Sequence, residues 1–204
     1  MDPRQVFKTY EVSDEADFDR LKYCPYCGAL LSKTITARQP QEICPSCGRK
    51  SYRSPSPAIS VLVVDHDHFL LARRRAGALQ GGKWCLPCGY VEFAEDYLTA
   101  AVREVKEETG LDVEVTALLS AVSNFFTPKI HTVVIVLLAW PRTTDLVPGD
   151  DVDKVEWFTS SDPLPEMAFE ADSHIIKRYF ETKLSGAPID PRYSSMRETS
   201  GDNF

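Results

Sequence analysis

Residues 89–111 read GYVEFAEDYLTAAVREVKEETGL, and this stretch decides how the rest of the chain is read. Leu98, Ala101, Val102 and Val105 recur at i, i+3, i+4 and i+7, which predicts a helix over 95–109, and Gly110 is placed as its left-handed terminator. Glu104, Glu107 and Glu108 fall at i, i+3 and i+4 of that helix. Their carboxylates therefore share a face and repel one another unless a cation intervenes. Hard divalent cations take oxygen ligands, and magnesium bridges a few carboxylates to substrate phosphates while keeping several waters. A solvated acidic face would also explain a run of charge, but it leaves Gly89, Gly110 and the strand–loop–helix setting unexplained.

Outward from the helix, β-like segments are predicted over 58–64, 69–73, 84–91, 113–122, 130–140 and 155–158. A second helix is predicted over 172–184, with Ile175, Ile176, Tyr179 and Phe180 as its apolar stripe. Strands that do not alternate strictly with helices favour an α+β, sandwich-like layering over a doubly wound parallel sheet. The expected domains are an acidic arm over 1–20 (a short helix or a loose segment), a metal ribbon over 21–54, a catalytic domain over 55–184 and a poorly ordered tail over 185–204. The Pro- and Ser-rich joint GRKSYRSPSP marks the boundary between ribbon and domain.

Four of the six cysteines form two CxxC pairs, Cys24 with Cys27 and Cys44 with Cys47, with sixteen residues between the pairs. That spacing suits a closed tetrahedral zinc site, structural because no position is left for water. Gly28 and Gly48 follow the knuckles and relieve their tight turns. The remaining pair, Cys85 and Cys88, is read differently. In a continuous strand, residues three apart point to opposite faces, so this CxxC is expected to be neither a joint ligand nor a redox pair.

With 204 residues, 43% of them hydrophobic, the chain can bury a sizeable core. A formal charge of −7 argues against a general nucleic-acid binder, which gains affinity by neutralising phosphates with clustered Lys and Arg. No apolar run approaches the ~20 residues of a membrane span, and MDPRQVFK has no apolar signal core. The expectation is a cytoplasmic protein without membrane association, its thiols kept reduced.

Every specified position of the Nudix box, G-x5-E-x7-R-E-U-x-E-E-x-G-U with U apolar, is met by Gly89, Glu95, Arg103, Glu104, Val105, Glu107, Glu108, Gly110 and Leu111. The chain thus resembles the Nudix hydrolases. The resemblance implies an α/β/α sandwich around a mixed sheet, and hydrolysis of a diphosphate linkage in a nucleotide derivative. It implies Mg2+ or Mn2+ held by Glu104, Glu107 and Glu108, with Arg103 orienting a neighbouring glutamate and Glu95 supporting the site. Asp151 matches the place where relatives often put a further metal-binding glutamate, with Asp150 and Glu170 as competitors. One departure stands out: where the family has W-x-L-P-G-G, this chain has Cys88 for the first glycine, which puts the local backbone and substrate approach in question.

The order of ribbon, joint and box resembles the NADH pyrophosphatases and the ribbon-bearing relatives that act on ADP-ribose or FAD. The NADH signature SQPWPFP is not kept by Ser123-Asn124-Phe125-Phe126-Thr127-Pro128, which demotes NADH. Tyr90, Phe125, Phe126 and Phe169 are placed to stack on an adenine or flavin ring. Arg74, within Arg73–Arg75, could hold a phosphate, or the run could be a solvated strand end. A nucleotide-sensing protein and a nucleoside-triphosphate or RNA-cap hydrolase remain as alternatives. The small-molecule reading argues against a nucleic-acid partner, and analogy implies a homodimer.

Overall fold

The computed structural model of the protein describes residues 5–10, 21–31, 42–51, 54–182 and 184–190. In chain order the elements are β1 (Val6–Lys8), β2 (Glu42–Ile43), β3 (Lys50–Ser51), β4 (Ser56–Asp65), β5 (His68–Arg74), β6 (Trp84–Cys85), β7 (Cys88–Tyr90), α1 (Tyr97–Thr109), β8 (Val113–Thr127), β9 (Ile130–Pro141), β10 (Val152–Thr159), α2 (Glu170–Thr182) and β11 (Ala187–Pro188). Two compact units are present: Met1–Phe7 with Pro57–Asn124 and Val133–Phe204, and Lys8–Ser56 with Phe125–Thr132.

The larger unit is built on a mixed sheet in the order β1-β8-β9-β4-β5-β10, with β11 pairing to β8, β6 to β5 and β7 to β4. A helix covers each face. On one side α1 buries Leu98, Ala101 and Val105 against Ile59, Val61, Val63, Leu70 and Leu137. On the other, Ala171, Ile175 and Ile176 of α2 pack against Leu62, Val64, Phe69 and Leu71. Because both faces are covered, β4 is buried without interruption from Ala58 to Val64 and shows no polar alternation. This is the α/β/α sandwich expected from the sequence.

Three local expectations are corrected. The stretch 84–91 is not one strand. Cys85 pairs with Ala72 on β5, whereas Cys88 pairs with Ser60 on β4, so the chain crosses between neighbouring strands at Leu86 and Pro87. Pro87 has no amide to donate, but its carbonyl accepts from the Val61 amide at 2.9 Å. Within 1–20, Val6–Lys8 forms a strand beside β8, anchored by the buried Phe7; residues 11–20 lie outside the described residues. Within 185–204, Ala187 and Pro188 pair with Leu118 and Ala117, and residues 191–204 lie outside the described residues. Both additions attach to β8, which at 15 residues runs five past its expected end at Val122.

Candidate active site

Helix α1 is set at both ends. Asp96, with extended backbone, accepts from the Leu98 and Thr99 amides through Oδ1, and Gly110 closes the helix at φ 78° with its amide on the Lys106 carbonyl. These caps fix the helical phase, and with it which glutamates face the loop from β7. Glu104 and Glu108 are buried beside Ala101 and Val105, while Glu107 stays half exposed.

Arg103 binds three of the glutamates at once. Its Nη1 donates to Glu104 Oε1 and to Glu107 Oε2, both at 2.9 Å, and its Nε and Nη2 donate to Glu95 at 3.0 and 2.6 Å. Nη2 also reaches the Tyr90 carbonyl at 3.2 Å, tying the helix to the end of β7. Glu95 sits in the preceding turn, where Oε1 accepts from the Glu92 amide. Hydrogen bonds from Arg103 hold the Glu95 carboxyl below the usual carboxylate range.

One guanidinium cannot balance four carboxylates. Burial pushes Glu104 above the ordinary range, and it pushes Glu108 well above, with the neighbouring Cys88 and Asp151 adding to the rise. Such groups release their protons readily only when a cation compensates the charge. Oxygen donors on adjacent turns, partly buried and short of positive charge, fit a hard divalent ion. Among the described residues the glutamate oxygens are more widely spaced than the four ribbon thiols, the only set of ligand atoms all within 4.8 Å of one another. Arg103 Nη1 lies between Glu104 and Glu107.

The bend between β6 and β7 fits the cluster closely. The Cys88 amide donates to Glu108 Oε2 at 3.1 Å. Gly89 lies so near Glu104 that a Cβ there would sit 2.1 Å from its carboxyl carbon. Cys88 itself needs no glycine: only His66, Gln80 and Asp150 have positive φ among the non-glycine residues described. The doubt raised by the missing first glycine is thus removed for the backbone.

Sequence reasoning missed Asp172, which supports this bend from the opposite face of the sheet. Its Oδ2 accepts from the Leu86 amide at 3.0 Å, and its Oδ1 accepts from Ser60 Oγ at 3.4 Å. A signal existed: Asp172 precedes Ile175 and Ile176 by three and four residues, on the apolar stripe where a carboxylate is out of place. Burial raises its pKa from 3.8 to about 7. A carboxyl raised in the folded state stabilises fully below its unfolded value and loses that contribution as pH rises through the folded one. Asp172→Asn is therefore expected to match the wild type in urea unfolding near the ordinary value of 3.8 and to exceed it progressively up to about pH 7. The gain should reach up to about 4 kcal/mol. Equal stability across that range would refute the assignment.

Asp151 accepts from Arg74 Nη2 at 2.6 Å, and its negative charge acts on Glu108. Asp150 acts on Glu104, and Glu170 opens α2. Arg74 is buried: Nε donates to the Leu79 carbonyl at 2.6 Å, Nη1 faces both Cys85 and Cys88, and the guanidinium lies over Phe169. Its donors are directed at protein groups, so it reads as a structural support for Asp151. Tyr90 is 54% exposed at the end of β7, and its carbonyl is bound by Arg103. Phe125 and Phe126 belong to the smaller unit, where Phe125 meets the His131 ring edge-on and the Phe126 carbonyl accepts from Thr9 Oγ1.

The smaller unit holds the cysteine cluster. Its two knuckles repeat one pattern: the Gly28 and Gly48 amides donate to the Cys24 and Cys44 carbonyls at 2.9 Å, with φ of 73° and 70° at the glycines. The Cys24–Cys47 and Cys27–Cys44 sulfurs are 3.7 and 3.5 Å apart. A tetrahedron with metal–sulfur bonds of ~2.3 Å has edges of about 3.8 Å, so the four thiols are spaced for one such ion. The Cys47 amide, 3.4 Å from Cys44 Sγ, lowers the Cys44 thiol to about 6 and favours the thiolate that binds metal. Elemental analysis of the protein is expected to find about one zinc per chain, lost in Cys44→Ser. An unchanged metal content in that variant would count against the cluster as the ligand set.

No helix among the described residues is long and apolar enough to cross a membrane. The chain is similar to an NAD-capped RNA hydrolase, NudC, of Pseudomonas aeruginosa, at 30% identity over 83% of this chain, but spans only 60% of that relative. An ADP-ribose pyrophosphatase of Methanocaldococcus jannaschii is 35% identical over 65% of this chain and 77% of its own length. Among solved structures, a NUDIX hydrolase of Nitrosomonas europaea superposes with a TM-score of 0.70 at 29% identity, covering 82% of this chain and 95% of the other. A family model described as the NUDIX domain matches residues 54–179, more than half of the chain and the whole of the glutamate site. The sandwich around the sheet, the complete box on α1 and this match agree: the chain belongs to the Nudix hydrolase family.

Proposed function

We propose that this protein is a Mg2+- or Mn2+-dependent pyrophosphohydrolase that cleaves the diphosphate of ADP-ribose, or of a related ADP-linked nucleotide such as FAD or NADH, to AMP and the other phosphorylated half. The observation that carries the reading is the placement of Glu104, Glu107 and Glu108 on one side of α1, organised by Arg103 and Glu95. The metal, when bound, neutralises the diphosphate and makes an attacking water more acidic. The residues do the remaining work. Glu104, Glu107 and Glu108 hold the ion, and Arg103 keeps their carboxylates apart in a fixed arrangement. Glu95 orients Arg103, and the Cys88 amide fixes the last turn of α1 through Glu108. Asp151, held by Arg74, takes the proton of the water, with Asp150 and Glu170 as its competitors. Tyr90 stacks on the base.

The zinc ribbon over 21–54 is structural, and the catalytic domain over 55–184 carries the reaction. A four-thiol metal site needs reduced cysteines, which supports a cytoplasmic protein, and the homodimer implied by the family belongs to the same reading.

NAD-capped RNA is a second substrate class, favoured by the similarity to the Pseudomonas relative; the net charge of −7 weighs against it. A panel of ADP-ribose, FAD, NADH, nucleoside triphosphates and an NAD-capped oligonucleotide, each with Mg2+, separates these by AMP release or by decapping. Turnover of ADP-ribose or FAD is expected. If every member is bound but none is turned over, a nucleotide sensor replaces the hydrolase.

A further inference from the structure

Cys85 and Cys88 lie where a single strand would have kept their side chains apart. Because the chain leaves β5 after Cys85 and joins β4 at Cys88, the two side chains converge across the Leu86–Pro87 bend. Arg74 Nη1 is 4.0 Å from each sulfur. One guanidinium nitrogen thus contacts both sulfurs, which puts the two thiols on the same side of the bend. The pair is also asymmetric in access. Cys85 is fully buried and directs its thiol at the Ala72 carbonyl, whereas Cys88 is partly exposed. Neither residue belongs to the four-thiol metal cluster.

We infer that Cys85 and Cys88 form a redox-active dithiol, which closes to an intramolecular disulfide and thereby lowers turnover at the adjoining glutamates. In the first step Cys88, giving its proton to water, attacks one sulfur of a small-molecule disulfide and expels one thiolate. In the second, Cys85 loses its proton and attacks the Cys88 sulfur of the mixed disulfide, expelling the other thiolate. Two protein thiols are oxidised, and one external disulfide is reduced to two thiols. Access assigns the roles: Cys88 receives the oxidant and buried Cys85 resolves it.

The effect on the site follows from what the bend touches. Closure requires the two Cβ atoms to come within about 3.5–4.5 Å. The Cys88 amide is the donor to Glu108, and the next residue, Gly89, has no spare room against the Glu104 carboxylate. A displacement that fits a disulfide is therefore passed to both buried carboxylates, and the two thiols that face Arg74 are exchanged for one S–S group. Outer contacts of this kind are worth about ten-fold or more in metal affinity or activity.

The test uses the whole metal-loaded protein and glutathione disulfide as the probe. Trypsin releases residues 84–103 as one peptide, since Lys83 and Arg103 bound it, and both thiols lie within it. The peptide is expected to become two hydrogens lighter on treatment, and to return to its original mass with dithiothreitol. Turnover should fall about ten-fold with closure and recover with reduction. The Cys85→Ser/Cys88→Ser double variant should hold its own starting activity through the same treatment, which separates this pair from the ribbon thiols. A peptide that stays reduced, a lasting glutathione adduct on Cys88, or full activity in the closed form would each overturn the inference. The effect on turnover rests on the proposed hydrolysis, whereas the mass change does not. Closure in a protein that turns over no substrate would thus reject the hydrolase reading and leave the dithiol standing.

Discussion

Glu108→Gln is expected to lower turnover about a thousand-fold, roughly 4 kcal/mol of lost transition-state stabilisation, while leaving the metal-free fold as stable as the wild type or more so. The two halves of this result come from one environment. Glu108 is 1% exposed, and burial, aided by the neighbouring Cys88 and Asp151, raises its pKa well above the ordinary carboxylate range. Its ionised form is therefore a cost that the metal-free fold bears increasingly as pH rises above the usual range. Gln keeps the shape and can still accept from the Cys88 amide, but it carries no charge for a cation to neutralise. Metal-free melting temperatures should converge at acid pH and favour Glu108→Gln at alkaline pH. Added Mg2+ should stabilise the wild type alone. If the variant keeps wild-type turnover, Glu108 is not a ligand; if it loses turnover only because it unfolds, the loss says nothing specific to the site, and the melting curves distinguish these cases.

The second large effect is expected of Gly89→Ala, at about a hundred-fold in turnover, with a stability loss of about 1–3 kcal/mol. The backbone at 89 is an ordinary strand, paired through Ile59, so conformation alone does not demand glycine. Space does. A methyl would lie 2.1 Å from both Cδ and Oε1 of Glu104 and 2.4 Å from Oε2, so the carboxylate must leave the position in which Arg103 holds it. The same methyl in a Glu104→Ala background meets no carboxylate. The stability cost should therefore shrink in the double variant while activity stays low, a coupling that a double-mutant cycle measures directly. An additive cycle would show that Gly89 acts through something other than Glu104.

Much of the site was legible because it is local. Glu95, Arg103, Glu104, Glu107 and Glu108 are related by helical spacing and by one adjoining turn. Period and capping therefore suffice to put Glu104, Glu107 and Glu108 together and to stop the helix at Gly110. The knuckles were legible for the same reason, since each pair of thiols and its glycine lies within five residues. What failed was the assumption that a run of strand-like residues stays on one partner. Pro87 was visible, but which neighbouring strand takes up the chain after it depends on β4 and β5, more than ten residues earlier. Arg74 illustrates the same limit: three consecutive arginines suggest a phosphate grip, and only the fold shows that the middle one is turned inward onto Asp151 and two thiols.

The sequence alone was enough to determine the family, the carboxylate helix with its two stops, the sandwich layering and the four-thiol cluster, all of them consequences of short-range periodicity and spacing. Only the tertiary structure decided that Asp172 reaches across the sheet to the Leu86 amide, that Cys85 and Cys88 face one guanidinium, and that Gly89 is pressed against Glu104. The physical reason is burial: these contacts join residues far apart in the chain or across a break in a strand, and they form only where packing two helices onto one sheet excludes water and forces each polar group to find a partner.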